Sequence, residues 1–220
     1  MSWRVLAAHE LRVEMRGRET IVPLLLTGVL VVTIGLLSFH EIDQREAIAG
    51  GVLWMGLAFA SSLALSRAFG AEKDRGTLDT LLSLPVDRSA IYAAKVVAAF
   101  ASVLLVALLV APVYLLASGQ GVPSGWASLL LILGLGSLGL AASGVTLSAL
   151  TATARGRDAL LPVLMLPLLI PLLVSTTDAT QMILRGAPFA DWRSSLFVLA
   201  GYDLAFLAAS ALLMDAAVGA

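Results

Sequence analysis

The sequence predicts an all-α membrane protein with six transmembrane helices, an amphipathic helix at the N-terminus and a short helix in one cytoplasmic loop. Of its 220 residues, 59% are hydrophobic and only 13% are charged, and the mean hydropathy is +0.95. A soluble domain has about 25% charged residues. Residues 96–154 include no charged residue at all. Apolar runs of this length must form helices, because a backbone in lipid has to satisfy its own hydrogen bonds.

The spans follow from charge-free runs of about 20 residues, the length needed to cross a bilayer core of roughly 30 Å. The six predicted spans are residues 20–39, 47–66, 93–116, 126–150, 159–177 and 194–217. A Gly- and Pro-rich turn at 118–125 divides the long apolar run into the third and fourth spans. The cytoplasmic loop covers 67–92, and residues 1–220 form a single transmembrane domain.

The distribution of lysine and arginine predicts the orientation. Of the 14 basic residues, 11 lie in the N-terminal segment and the second and fourth loops, and only Arg45, Arg185 and Arg193 lie on the other side. Because positive charge concentrates on the cytoplasmic side, both termini are expected inside a bacterial cytoplasmic (inner) membrane. No cleavable signal peptide is evident, so the first span is expected to be an uncleaved anchor. The net charge of -1 gives no indication of a nucleic-acid partner.

Residues 1–19 are predicted to form an amphipathic helix on the inner membrane surface. Trp3, Ala7, Leu11 and Met15 recur at every fourth position, with charged residues between them. An apolar ridge on an otherwise charged helix suits the lipid interface. The alternative is an ordinary charged leader before the first span.

The loop after the second span concentrates the polar chemistry of the chain. Gly76 can end one helix and Thr77 can cap the next, with Asp79 in its first turn, where the helix dipole favours an acid. Leu78 and Leu81 share one face of this helix. Pro85 ends it, and Arg88 and Lys95 mark re-entry into the bilayer. The helix could be a simple interfacial segment, or it could transmit motion from a cytoplasmic partner.

The motif Glu72-x-x-x-Gly-Thr-Leu-Asp-x-Leu-x-x-x-Pro85, followed by Ile91-x-x-x-Lys95, resembles the loop of ABC-2-type transporter permeases. Within that class the chain is most similar to the haem exporter protein B (CcmB) family of cytochrome c maturation. Phe69 and Glu72 precede the Gly-Thr pair at the spacing of that family, and residues 144–147 and 160–173 resemble its fourth and fifth spans. Arg75 departs from the family, which often has an acid just before the glycine.

This resemblance implies an ABC-2-type permease fold and no ATPase site in the chain itself. The loop residues it assigns to ATPase coupling are Phe69, Glu72, Gly76, Thr77, Leu78, Asp79, Leu81, Pro85, Arg88 and Lys95. The implied partners are a CcmA-like ATP-binding subunit, CcmC-like and small CcmD-like haem-handling subunits, and a second copy of the permease. ATP would bind the partner, haem would be cargo of the complex, and no cofactor is assigned to this chain. The sequence agrees in lacking a phosphate-binding Gly-x-x-x-x-Gly-Lys-Ser/Thr loop.

Two further patterns suggest ligands and have simpler interpretations. Residues 134–139 match Gly-x-Gly-x-x-Gly, but they lie inside an apolar span, where Gly139 and Ser143 favour close helix packing over dinucleotide binding. His40 could ligate haem at the outer end of the first span, although a solvated loop residue is the simpler interpretation. No metal site is predicted, since neither His9-Glu10 nor His40-Glu41 has a second histidine four residues after the first.

Prolines and one acid are the unusual features inside the last two spans. Pro162, Pro167 and Pro171 are expected to kink or partly unwind the fifth span, either lining a pathway or only packing. Asp203 lies roughly 14 Å into the sixth span, at 1.5 Å per residue. Burying it there costs about 2.5–3.5 kcal/mol. It is therefore expected to be protonated or bonded to a hydroxyl, such as Tyr202 or a serine of a neighbouring helix, with a role in assembly or gating.

Three other functions remain open from the residues. An ABC-2 permease could export another lipid, drug or glycan. A passive membrane scaffold would need no coupling through the loop. An intramembrane enzyme would need several reactive groups at one depth, whereas Asp203 is the single charged residue in the middle of a predicted span.

Overall fold

A computed structural model describes residues 18–38, 45–65, 88–119, 125–151 and 157–217. Within these ranges the chain forms seven helices and no strand. The helices are α1 (Arg18–Ser38), α2 (Arg45–Leu65), α3 (Arg88–Ser118), α4 (Trp126–Thr151), α5 (Arg157–Leu168), α6 (Ile170–Leu184) and α7 (Phe189–Ala217). The predicted interfacial helix, apart from the start of α1, lies outside the described residues.

The second and fourth predicted spans agree with α2 and α4 to within two residues at each end. The third does not, because α3 begins at Arg88, inside the predicted loop 67–92. Ile91 and Tyr92 are buried helical residues. The prediction placed the boundary too late because it used polarity, whereas a helix continues past the end of its apolar stretch as long as its backbone hydrogen bonds continue. For the same reason α7 begins at Phe189 rather than at 194.

The fifth predicted span is two helices, α5 and α6, which are separated at Leu169. The break lies between Pro167 and Pro171, neither of which can donate a backbone hydrogen bond. The Leu169 N–H still donates to the Met165 carbonyl at 2.9 Å, and Leu169 keeps helical angles (φ -75°, ψ -11°). The span is therefore interrupted at Leu169 without being unwound, and α6 continues to Leu184, past the predicted end at 177.

A tight turn joins α6 to α7. Gly186 has φ +72°, a left-handed conformation that favours glycine. Its N–H donates to the Ile183 carbonyl at 3.0 Å, and the Ala187 N–H donates to the Met182 carbonyl at 2.9 Å. These bonds satisfy the last carbonyls of α6, so the chain reverses at once and α7 packs against α6.

Paired contacts between helices show how the chain direction alternates. A Cβ atom added to a glycine would lie very close to a residue of the neighbouring helix at several places, and these pairs report the relative direction of the helices. The pairs are Gly35–Val52 and Gly56–Val32 between α1 and α2, Gly136–Trp54 and Gly144–Leu65 between α4 and α2, and Gly136–Thr176 and Gly139–Leu172 between α4 and α6. Helices α1 and α2 are therefore antiparallel, and so are α4 and α6. Helices α2 and α4 are parallel, so these helices follow an up-and-down path.

Helix α4 occupies the centre of the bundle and packs against α2, α3, α5, α6 and α7. The outer surface is apolar, with Leu37, Leu116 and Phe197 among its most exposed side chains. Among the described residues, α1, α3 and α4 contain stretches that are long and apolar enough to cross a membrane. Helix α2 contains a shorter apolar stretch, Gly50–Ser62. An apolar exterior around a packed helical interior is typical of an integral membrane protein.

Candidate functional site

Asp203 lies where α4, α6 and α7 meet. Only 3% of its surface is exposed. A Cβ atom placed on Gly139 would lie 2.6 Å from Leu172 Cδ1 and 2.8 Å from Asp203 Oδ1. Real Cβ atoms do not approach neighbours so closely, so the absence of a side chain at Gly139 allows the three helices to meet. We call Gly139, Leu172 and Asp203 the acid junction.

The carboxyl group of Asp203 is buried without a hydrogen-bond partner. Neither of its oxygens has a partner among the described residues, and the neighbouring Tyr202 hydroxyl has none either. The predicted bond to Tyr202 or to a serine is therefore not formed within the described part of the chain. The Ser143 hydroxyl donates to the Gly139 carbonyl of its own helix, with the two oxygens 2.6 Å apart.

The acid junction lies directly beside the proline break. Leu172 follows Pro171 and is fully buried, whereas the side chains of Pro167 and Pro171 are exposed on the outer side of the bundle. The pathway role of these prolines stays a prediction. What the described residues show is that they flank the break that precedes Leu172. Pro162 lies in α5, and its side chain is outside the described set.

Two hydrogen bonds between distant parts of the chain cross the interior near α4. Trp54 Nε1 of α2 donates to Thr180 Oγ1 of α6 at 2.9 Å, and the Trp54 ring covers Gly136. The Tyr92 hydroxyl of α3 donates to the Ala142 carbonyl at 3.2 Å. It also lies 2.9 Å from the Thr146 hydroxyl.

Sequence reasoning missed Trp54 and Tyr92 as site residues. The signal was present, because a Trp or Tyr within an apolar span needs a partner for its N–H or O–H group. The partner itself could not be identified from the sequence, since Trp54 and Thr180 are 126 positions apart.

The glycine pattern at 134–139 belongs to helix packing. It lies wholly within α4, and no strand precedes it in the described part of the chain. Gly136 faces Trp54 and Thr176, and Gly139 faces the acid junction, while a Cβ on Gly134 would meet nothing within 4 Å. The packing interpretation of this motif is confirmed, and the dinucleotide interpretation is wrong.

Most of the predicted coupling loop lies outside the described residues, as does His40. The undescribed loop residues are Phe69, Glu72, Gly76, Thr77, Leu78, Asp79, Leu81 and Pro85. Arg88 is the first residue of α3. Lys95, which the sequence places at the re-entry into the bilayer, lies two turns inside α3, and only 5% of it is exposed. Its role in coupling stays a prediction.

Within the described residues, the fold and the acid junction define a helical integral membrane protein whose largely apolar interior encloses a buried acid. A comparison with protein-family models matches residues 1–220 to the family described as CcmB protein. The chain belongs to the CcmB protein family.

Similar proteins carry the name Heme exporter protein B. The chain is 31% identical over 209 residues to that of Rhodobacter capsulatus, covering 93% of each chain. It is 35% identical over 162 residues to that of Paracoccus denitrificans, covering 73% of this chain and 72% of the relative. It is 28% identical over 201 residues to that of Pseudomonas aeruginosa, covering 89% of each chain.

Proposed function

We propose that this chain is the permease subunit of a haem export system that serves cytochrome c maturation. The observation that carries the proposal is the match to the CcmB protein family over residues 1–220. Relatives named Heme exporter protein B cover nearly the whole chain. The chain acts as a transporter component rather than as an enzyme. Energy comes from ATP hydrolysed by a CcmA-like subunit, since the sequence has no phosphate-binding loop of its own.

The proposed topology has six crossings, formed by α1, α2, α3, α4, α5 with α6, and α7, with both termini in the cytoplasm of a bacterial inner membrane. Alternation of direction between successive helices supports an up-and-down path. At 1.5 Å per residue, the 28 residues from Arg157 to Leu184 span about 42 Å, which suffices for one kinked crossing. The excess of basic residues in the N-terminal segment and the second and fourth loops supports the orientation.

The proposed complex contains two permease copies, CcmC-like and small CcmD-like haem-handling subunits, and the ATP-binding subunit. The loop 67–87 with its Gly-Thr-Leu-Asp motif is the proposed contact for that ATP-binding subunit. Haem, or a haem-loaded chaperone released on the outer face, is the cargo of the complex rather than a cofactor of this chain.

Gene deletion tests the cargo. We expect a deletion strain to lose haem-stained c-type cytochromes and to recover them with the wild-type gene. Unaltered cytochromes in the deletion strain would contradict the maturation role and favour a permease for another lipid, drug or glycan.

Single-cysteine labelling tests the orientation, and the chain is suited to it because it contains no cysteine. We expect Pro188→Cys to react with a membrane-impermeant maleimide in intact cells, and Ala154→Cys to react only after the cells are opened. The reverse pattern would contradict inside termini.

A double variant in the loop tests coupling. We expect Gly76→Val with Asp79→Lys to reduce the association or the ATP turnover of the ATP-binding subunit, because it removes the helix break and reverses the charge in the first turn. Ser83→Ala is the control in the same loop. Normal association and turnover in the double variant would favour a passive scaffold.

A further inference from the structure

The carboxyl group of Asp203 is buried in a junction where nothing described donates a hydrogen bond to it. Its Oδ1 and the side chain of Leu172 both lie against Gly139. Both oxygens are buried and lack hydrogen bonds within the described residues. A buried carboxylate without a partner is strongly unfavourable, whereas the neutral acid avoids the cost of burying a charge.

The ionisable side chains described on the surrounding helices form no hydrogen bond with Asp203. Helix α4 has no ionisable residue, and in α6 the only one is Asp178, which is exposed. The packed helix α3 contributes Tyr92, Lys95 and Tyr114 from its described side chains, and α7 itself contributes Tyr202, Asp191 and Arg193. None of these forms a hydrogen bond with Asp203.

We propose that Asp203 is a proton-binding site that holds a proton while the acid junction is closed and releases it when the junction opens. On opening, water reaches the carboxyl group, its O–H bond breaks, and the proton passes to that water while the bonding electron pair stays on the carboxylate. On closing, the proton returns before the group is buried. The proposal concerns the acid itself and does not depend on the cargo.

The proline break gives the junction a means of opening. Leu172 lies three residues after the break at Leu169, and the two flanking prolines remove backbone hydrogen bonds on either side of it. The side chains of both prolines are exposed within the described part of the chain, so a change of angle at the break meets little packing from those residues. Such a change would withdraw Leu172 from Gly139 and Asp203.

Infrared spectroscopy of the purified full-length chain in lipid nanodiscs tests the protonation directly. We expect the wild-type protein at neutral pH to show the C=O stretch of a protonated carboxylic acid, which shifts in D2O and is missing from Asp203→Asn. Asparagine keeps the side chain neutral, so we expect that variant to unfold at the same temperature as the wild type.

A wild-type spectrum that differs from Asp203→Asn only in ionised carboxylate bands would overturn the proposal. If the variant fails to fold, wild-type protein with carboxyl-labelled [13C]aspartate is measured instead, because the band of a protonated aspartate must shift with the label. A band that does not shift, or no protonated band at neutral pH, would overturn the proposal.

Two glycine variants of α4 test the link to the junction. Gly139→Ala forces Asp203 and Leu172 apart, whereas Gly134→Ala places its methyl group in open space. With both variants folded, we expect the protonated band at neutral pH to fall by more than about half in Gly139→Ala and to stay unchanged in Gly134→Ala. Equal bands in the two variants would overturn the role of the junction.

Discussion

Helices α1 and α4 are both long and apolar enough to cross a membrane, yet they occupy different positions in the bundle. The buried share of the apolar stretch is 22% in α1 and 72% in α4. Helix α1 packs against α2 and α3 and leaves Leu26, Leu30 and Leu37 exposed. Helix α4 contacts five other helices.

The difference lies in how many neighbours each helix approaches through glycine. Among the described glycines of α1, an added Cβ atom would collide at Gly35, with Val52 of α2. Helix α4 approaches its neighbours at Gly136, Gly139 and Gly144, where added Cβ atoms would collide with side chains of α2, α6 and α7. Lipid is as apolar as leucine, so helices associate in a membrane through close packing and hydrogen bonds. Hydropathy therefore finds the spans, and small residues with partnered polar groups indicate which span is central.

The largest expected difference in stability is between alanine substitutions at two glycines of α4. Gly136→Ala puts a methyl group into the Trp54 ring and near Thr176, while Gly134→Ala meets nothing. We expect Gly136→Ala to lower the free energy of unfolding by about 1–3 kcal/mol. Gly134→Ala should be neutral or stabilising by up to about 1 kcal/mol through helix propensity. Denaturation of both variants in mixed micelles checks this, and equal stabilities would contradict the central position of α4.

A pair of leucines tests the packing of α1. Leu24 is 1% exposed and Leu26 is 65% exposed. We expect Leu24→Ala to lower the free energy of unfolding by about 1–3 kcal/mol through lost packing. The hydrophobic effect adds little, because in a membrane the alternative environment of the side chain is lipid. Leu26→Ala should cost less than about 0.5 kcal/mol. The same micelle denaturation measures both, and a larger cost at Leu26 would show that a partner covers this face.

A tryptophan pair tests the hydrogen bond between α2 and α6. Trp54→Phe removes the bond to Thr180, and we expect it to cost about 1–2 kcal/mol. Trp126→Phe is the control, since 59% of Trp126 is exposed at the start of α4. Thermal unfolding of both variants checks the difference. Equal unfolding temperatures would exclude a contribution from the Trp54–Thr180 bond.

The smallest expected effect comes from two tyrosines of α3. The Tyr92 hydroxyl bonds to α4, so Tyr92→Phe should cost about 0.5–1.5 kcal/mol. The Tyr114 hydroxyl is buried and has no partner among the described residues, so Tyr114→Phe should be neutral or slightly stabilising. Unfolding temperatures measured side by side check the sign. A destabilising Tyr114→Phe would show that the Tyr114 hydroxyl has a stabilising partner and would contradict the expected difference from Tyr92.

The sequence predicted the helical class, the approximate extent of α2 and α4, and an irregularity in the fifth span, because these depend on local composition and on proline chemistry. It also singled out Asp203 from its position in an apolar run. It could not place Asp203 against Gly139, 64 positions away, because helix register and rotation are set by packing. It also could not show that α3 begins at Arg88 or that Lys95 is buried, since polarity reports neither where a helix begins nor which side faces inward.

Purification of the native complex through a tag on this chain tests the central claim of a permease driven by a separate ATPase. The account predicts that an ATP-binding subunit co-purifies and that the complex hydrolyses ATP. A chain that purifies from native membranes without an ATP-binding subunit and without ATP turnover would contradict it.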